Sequence, residues 1–172
     1  WRGAIADHSG LRDALVRRFH DHKVHDIGHV GREHAGIAPK PYLAIADQLR
    51  HRYLISVEGY DVATNLKWIL ASQSLCLMPK PLYETWFMEG TLVPGRHFVE
   101  LRPDFADLED VVAYYDRNED EARAIIAEAN RHVATFQDEE TERLVSLLVL
   151  QKYLERTGQR VPMPLSHLFG CG

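Results

Sequence analysis

The stretch YLISVEGYDVATNLKWILAS, residues 53–72, constrains the fold more than any other because its hydrophobic period changes midway. Residues 53–57 are an apolar, β-branched run that reads as a strand, and residues 58–61, EGYD, are turn chemistry. From Val62 onward Val62, Leu66, Ile69 and Leu70 recur at helical spacing, which predicts a helix capped by Asp61. A glycine turn between a buried strand and a helix aims free backbone N–H groups at one point and suits a phosphate. Gly59, Tyr60, Asp61, Val62, Ala63 and Thr64 are therefore candidate contacts, with Lys67 leaning back toward them from the helix. The competing interpretation is an ordinary strand-helix unit with an Asp cap and a solvated lysine.

The flanking pattern repeats. Helices are expected at 11–20, 42–50, 83–88, 105–115, 118–133 and 139–157, and strands at 75–78, at 97–101 and in the second half of 20–30, ending at Gly28 or soon after, with residues 162–172 as coil. Alternating strands and helices predict an α/β fold: a Rossmann-like parallel sheet with helices on both faces, closed by C-terminal helices. Ligands in such sheets sit beyond the carboxyl ends of the strands, so Gly28, Glu58, Met78 and Leu101 should share a rim with Gly59. No GxGxxG is present, so a dinucleotide cofactor is not indicated.

At 172 residues and 45% hydrophobic composition the chain can bury one sizeable core, assigned to residues 1–160 as a single domain with 161–172 as a tail. A net charge of −5 argues against nucleic acid as a partner and makes any anion site local. Two cysteines, Cys76 and Cys171, make no disulfide framework, and no apolar run reaches the length of a membrane span. A start at Trp1 without Met suggests a processed or truncated piece. His20, His22, His25, His29 and His34 crowd one region, but their spacing fits no closed tetrahedral metal pattern.

The run VEGYDVATNLKWILASQSLCLMPKPLYETWFMEGTLVPGRHFVEL, together with WRGA, QLRHRYLISVEG and DFADLEDVVAYY, resembles glycosyltransferase family 90, and its bacterial lipopolysaccharide-modifying and capsule-associated branch in particular. That family also includes the protein O-glucosyltransferases. The resemblance implies the C-terminal, donor-binding half of a GT-B glycosyltransferase, with the N-terminal acceptor domain and its catalytic base absent from this chain. It implies a UDP-sugar donor, a glycan or lipopolysaccharide acceptor, no metal cofactor, and a cytoplasmic enzyme or one peripheral at the inner membrane. Arg2 matches the family's aromatic-Arg-Gly motif. Arg12 resembles the arginine placed on the donor diphosphate, and Glu84 the acid that accepts the ribose hydroxyls. Tyr60 stands where the family has Asn, and Asn65 where the protein-glucosylating branch has an arginine, so Lys67 is expected to supply the charge. Arg12 and Lys67 are both placed on polar helix faces. A stand-alone nucleotide-sugar-binding module and a histidine-cluster metal-binding domain are the alternatives, the latter predicting zinc-dependent melting and indifference to UDP.

Overall fold

The structure is a computed structural model that describes residues 1–161; the expected coil at 162–172, with Cys171, lies outside the described residues. The chain divides into two compact units, residues 1–133 and 134–172. The first carries five short strands: β1 (Arg2–Ala4), β2 (Gly28–Val30), β3 (Tyr53–Ile55), β4 (Leu75–Met78) and β5 (Val99–Glu100). Its helices are α1 (Leu11–Phe19), α2 (Ile45–Gln48), α3 (Leu66–Leu70), α4 (Leu108–Arg117) and α5 (Glu119–Ala134), the last ending one residue past the division. The five strands pair in parallel: β1 with β2 in one sheet, and β3, β4 and β5, in that order, in another. This is the α/β, parallel-strand architecture expected, built as two open sheets flanked by helices.

The three-stranded sheet is buried on both faces, which is why β4 reads LCLM with no polar alternation. Successive strand side chains point to opposite faces. Leu75, Leu77, Ile55, Val57, Val99 and Leu101 join one core with Leu15, Val16 and Phe19 of α1, Leu108 of α4 and Ile125 of α5. Trp1 and Ile27 bring the two-stranded sheet into the same cluster. On the other face Leu54, Cys76 and Met78 are also buried, and α3 packs against β4 with Leu66, Ile69 and Leu70 buried.

The second unit contains α6 (Glu139–Arg156), started by Asp138, whose carboxylate accepts the Glu140 and Thr141 N–H groups. Among the described residues no helix is long and apolar enough to cross a membrane.

Local expectations change: α2 and β5 are shorter than the 42–50 and 97–101 expected, α4 starts three residues later than 105, and three further differences bear on the site. Gly28 begins β2 instead of ending it, because its N–H is taken by the Trp1 carbonyl at 3.1 Å, and so it lies at the amino end of the sheet. The helix expected from Val62 starts only at Leu66, four residues late, and its N-cap is Asn65, not Asp61. The Asn65 side chain explains this: it donates to the Ile55 carbonyl (3.1 Å) and accepts from Ser56 Oγ (3.1 Å), pinning the chain to β3 before it can coil. Residues 83–88 form no helix; a short 3-10 turn, Glu89–Thr91, follows instead. The Leu82 and Tyr83 amides go to Glu58, far back in the chain, and the Thr85 amide to Glu89, four residues on.

Candidate functional site

The site is built where β3 runs out. Ser56 extends the ladder by donating to the Leu77 carbonyl at 3.0 Å, and Glu58, only 9% exposed, turns inward after it. Its carboxylate accepts the Leu82 and Tyr83 N–H groups, each at 3.1 Å, so the loop after β4 is fastened to the end of β3. Burial raises the Glu58 carboxyl above its ordinary range and the nearby Glu89 charge adds to that, while the two amide bonds oppose it.

Arg12 lies under the Gly59 turn. Its Nη1 donates to the carbonyls of Ala4 (3.0 Å) and Ala6 (3.4 Å), and its Nη2 to the Val57 carbonyl (3.1 Å). One guanidinium thus clasps the carboxyl end of β1 to that of β3 across the gap between the two sheets. Burial lowers the Arg12 pKa, opposed by the charges of Asp7 and Asp61. The expected polar-face arginine on a diphosphate is therefore found committed to backbone carbonyls. Gly59 is required by this clasp rather than by its turn: a Cβ there would sit 2.7 Å from Arg12 Nη2. Beyond it Asp61 turns its carbonyl back to the Gly59 N–H at 3.0 Å, Tyr60 is exposed and meets His8 edge-on, and Ala63 is buried.

Lys67 is likewise no free surface lysine. Its ammonium lies 2.9 Å from Oε1 of Glu89, whose side chain is 1% exposed, and above the rings of Trp86 (5.6 Å) and Phe87 (5.4 Å). Glu89 also accepts the Thr85 N–H at 2.7 Å and the Thr85 hydroxyl at 2.9 Å. Burial alone would raise this carboxyl, but the bonds from Lys67 and Thr85 outweigh it and hold it below the ordinary range. Glu84, one residue from Thr85, is exposed, with its carboxylate against Gly90.

Lys67, Glu84 and Glu89 thus fall on one segment of rim. A small cleft lined by Glu58, Val62, Ala63, Lys80 and Glu89 joins them to the Gly59 loop. Beside β5 a groove of about 380 Å³ opens along Lys80, Pro81, Glu89, Gly90 and Glu100. Arg2 is elsewhere: it pairs with Asp26 at 2.6 Å and bonds the Pro41 carbonyl at the amino ends of β1 and β2. Another cavity, of about 220 Å³, also lies at the amino ends, lined by Trp1, His25, His51, Tyr53 and Asp116, and holds none of the expected site residues.

Sequence reasoning missed Glu89 and the role of Glu58. Nothing local marks either: a buried carboxylate is recognised by its partners, and those lie 22–25 positions away in the cases of Lys67, Leu82 and Tyr83. Asn65 was legible in principle, since Asn before an apolar helical run is a starting signal.

Four of the five clustered histidines, His20, His22, His29 and His34, make hydrogen bonds through their rings. His34 Nε2 meets Asp13 at 2.7 Å, His29 Nε2 donates to the Arg32 carbonyl at 3.0 Å, and His22 Nε2 meets Glu109 at 3.1 Å. His22, His25 and Glu109 offer ligand atoms within 4.8 Å of one another. However, His22 Nδ1 accepts the Val24 and His25 N–H groups, which places its proton on Nε2, facing Glu109, where a cation would have to displace it. The His22 and His25 rings are also stacked, their centroids 4.4 Å apart and their planes 16° from parallel.

The profile of Glycosyl transferase family 90 matches residues 1–163. The chain is 48% identical over 157 residues to O-glucosyltransferase LpsA of Dichelobacter nodosus, covering 89% of this chain and 48% of that protein. It is 27% identical over 115 residues to Protein O-glucosyltransferase 3 of Homo sapiens, covering 66% of this chain and 22% of that protein. It is 24% identical over 139 residues to Protein O-glucosyltransferase 2 of Danio rerio, covering 76% and 28%. The chain thus spans about half the length of the first of these relatives and less than a third of the others.

Proposed function

The chain belongs to glycosyl transferase family 90, and from that membership we propose that its first unit is the donor-binding portion of a GT-B enzyme that transfers a sugar from a UDP-sugar to an acceptor hydroxyl. Glucose is the sugar put forward, on the names of the relatives, and a lipopolysaccharide or related surface glycan is the acceptor. The observation that carries this reading is the grouping of a cationic side chain, an exposed carboxylate and the Gly59 loop on the rim formed by the carboxyl ends of β3, β4 and β5. Parallel sheets bind ligands there.

In this reading the diphosphate lies against the amides of Val62, Ala63 and Thr64 with the Lys67 ammonium beside it, and Glu84 accepts the ribose hydroxyls. When the acceptor hydroxyl attacks the anomeric carbon, charge develops on the departing UDP. Preformed N–H groups and a fixed ammonium stabilise that charge without reorganising. Arg12 contributes from below, holding the loop that presents the amides. The base that deprotonates the acceptor is assigned to a part of the enzyme other than this chain.

Calorimetric titration with UDP, UDP-glucose, UDP-xylose and uridine tests the proposal. UDP and UDP-glucose should bind, uridine much more weakly, and this chain alone should transfer no sugar. Equal affinity for UDP and uridine would overturn the diphosphate assignment, and turnover by this chain alone would overturn the division of labour.

A further inference from the structure

The Lys67 ammonium has three N–H donors and a flexible four-carbon stem, so its charge alone does not fix where it acts. Glu89 fixes it. The carboxylate is fully buried; Oε1 takes the ammonium at 2.9 Å, and Oε2 takes the Thr85 N–H at 2.7 Å. The Thr85 hydroxyl donates to the same carboxylate at 2.9 Å, while its oxygen accepts the Phe87 N–H at 3.3 Å and lies 3.5 Å from the ammonium. The carboxylate is therefore anchored to backbone before it meets the lysine. It holds the ammonium above Trp86 and Phe87, with the side chain 25% exposed. One strong bond to Glu89 and one long contact to Thr85 leave an N–H able to turn outward.

We propose that Glu89 is a positioning residue: a buried carboxylate that sets the Lys67 ammonium at the rim so that an N–H meets the diphosphate of the donor. This rests on the donor-site reading above and assigns to Glu89 a role in ligand selectivity that neither its burial nor its pairing alone would give it. Its negative charge partly cancels that of Lys67, so the claim is that placement outweighs the charge it removes. The two effects predict opposite signs.

The test is the ratio of UDP to uridine affinity, measured by calorimetry on the full chain. Lys67→Met should lower that ratio about tenfold to a hundredfold, the loss of a hydrogen bond to a charged group. Glu89→Gln should lower it about tenfold, and the double variant should match Lys67→Met within about twofold, because the carboxylate acts through the lysine. Glu89→Asp keeps the charge, withdraws it by one methylene, and serves if the glutamine variant does not fold. It should lower the ratio at least threefold. An unchanged or raised ratio in the glutamate variants, with Lys67→Met still showing its loss, overturns this inference alone. An unchanged ratio in Lys67→Met removes the donor-site reading and this inference with it.

Discussion

At the scale of single residues, the site is held together by groups whose partners come from distant parts of the chain. Gly59→Ala would put a methyl 2.7 Å from Arg12 Nη2, and Arg12 cannot withdraw without giving up its bonds to Ala4 and Val57. Overpacking of this kind costs about 1–3 kcal/mol, to be read as a lowered midpoint in denaturant. Glu84→Gln is expected to weaken UDP and uridine together while leaving inorganic diphosphate unchanged in a calorimetric titration, since the ribose contact is lost and the phosphate contacts are not. An equal loss for all three ligands would refute the ribose role. Glu89 has a consequence in acid. Its folded pKa lies below the ordinary value, so the stability it supplies is fully present above that value and is lost as pH falls through the folded pKa. Glu89→Gln should therefore lower the melting temperature at neutral pH and flatten its decline below pH 4.5, the ordinary value for a glutamate.

At the scale of elements, legibility in the sequence followed the range of the forces involved. β4 was readable residue for residue because LCLM is buried on both faces and needs no alternation. α1 and α5 were readable within a residue or so because their apolar periodicity is their own, and α6 was placed equally well although it carries no apolar stripe and buries none of its residues. The segment between β4 and β5 was not. Its composition suits a helix, but Glu58 takes the amides of Leu82 and Tyr83, and Glu89 that of Thr85. Two carboxylates fasten this segment at three backbone amides and shape an open rim. The late start of α3 has the same kind of cause in Asn65. The family's motif residues were all visible as motifs, yet whether an arginine faces a ligand or clasps two strands depends on carbonyls up to 45 positions away. Glu58→Ala should therefore release the loop without unfolding the sheet. Hydrogen bonds to a charged acceptor are worth about 1.5–3 kcal/mol, so exchange at the Leu82 and Tyr83 amides should accelerate about tenfold to a hundredfold while the β4 amides keep their protection. Uniform acceleration throughout would mean that Glu58 supports the core and not the loop.

At the scale of the whole molecule, the division at residue 133 separates the proposed donor site from α6, since every residue assigned to the site belongs to the first unit. All three tryptophans, Trp1, Trp68 and Trp86, lie in that unit as well. Tryptophan fluorescence therefore follows the melting of the unit that should bind the donor, whereas helical circular dichroism follows both units. A ligand that binds only the folded form stabilises it by about 2.7 kcal/mol at a hundred times its dissociation constant, which for a unit of this size raises the melting temperature by about 5–10 °C. UDP at that level should shift the fluorescence transition by this amount, while uridine at the same concentration should shift it much less. The chain carries a net charge of −5, so a general attraction for anions cannot produce the shift; inorganic phosphate at matched ionic strength should leave the transition where it is. If UDP instead leaves the fluorescence transition unmoved, or phosphate reproduces the whole shift, the rim at the ends of β3, β4 and β5 is not a nucleotide site.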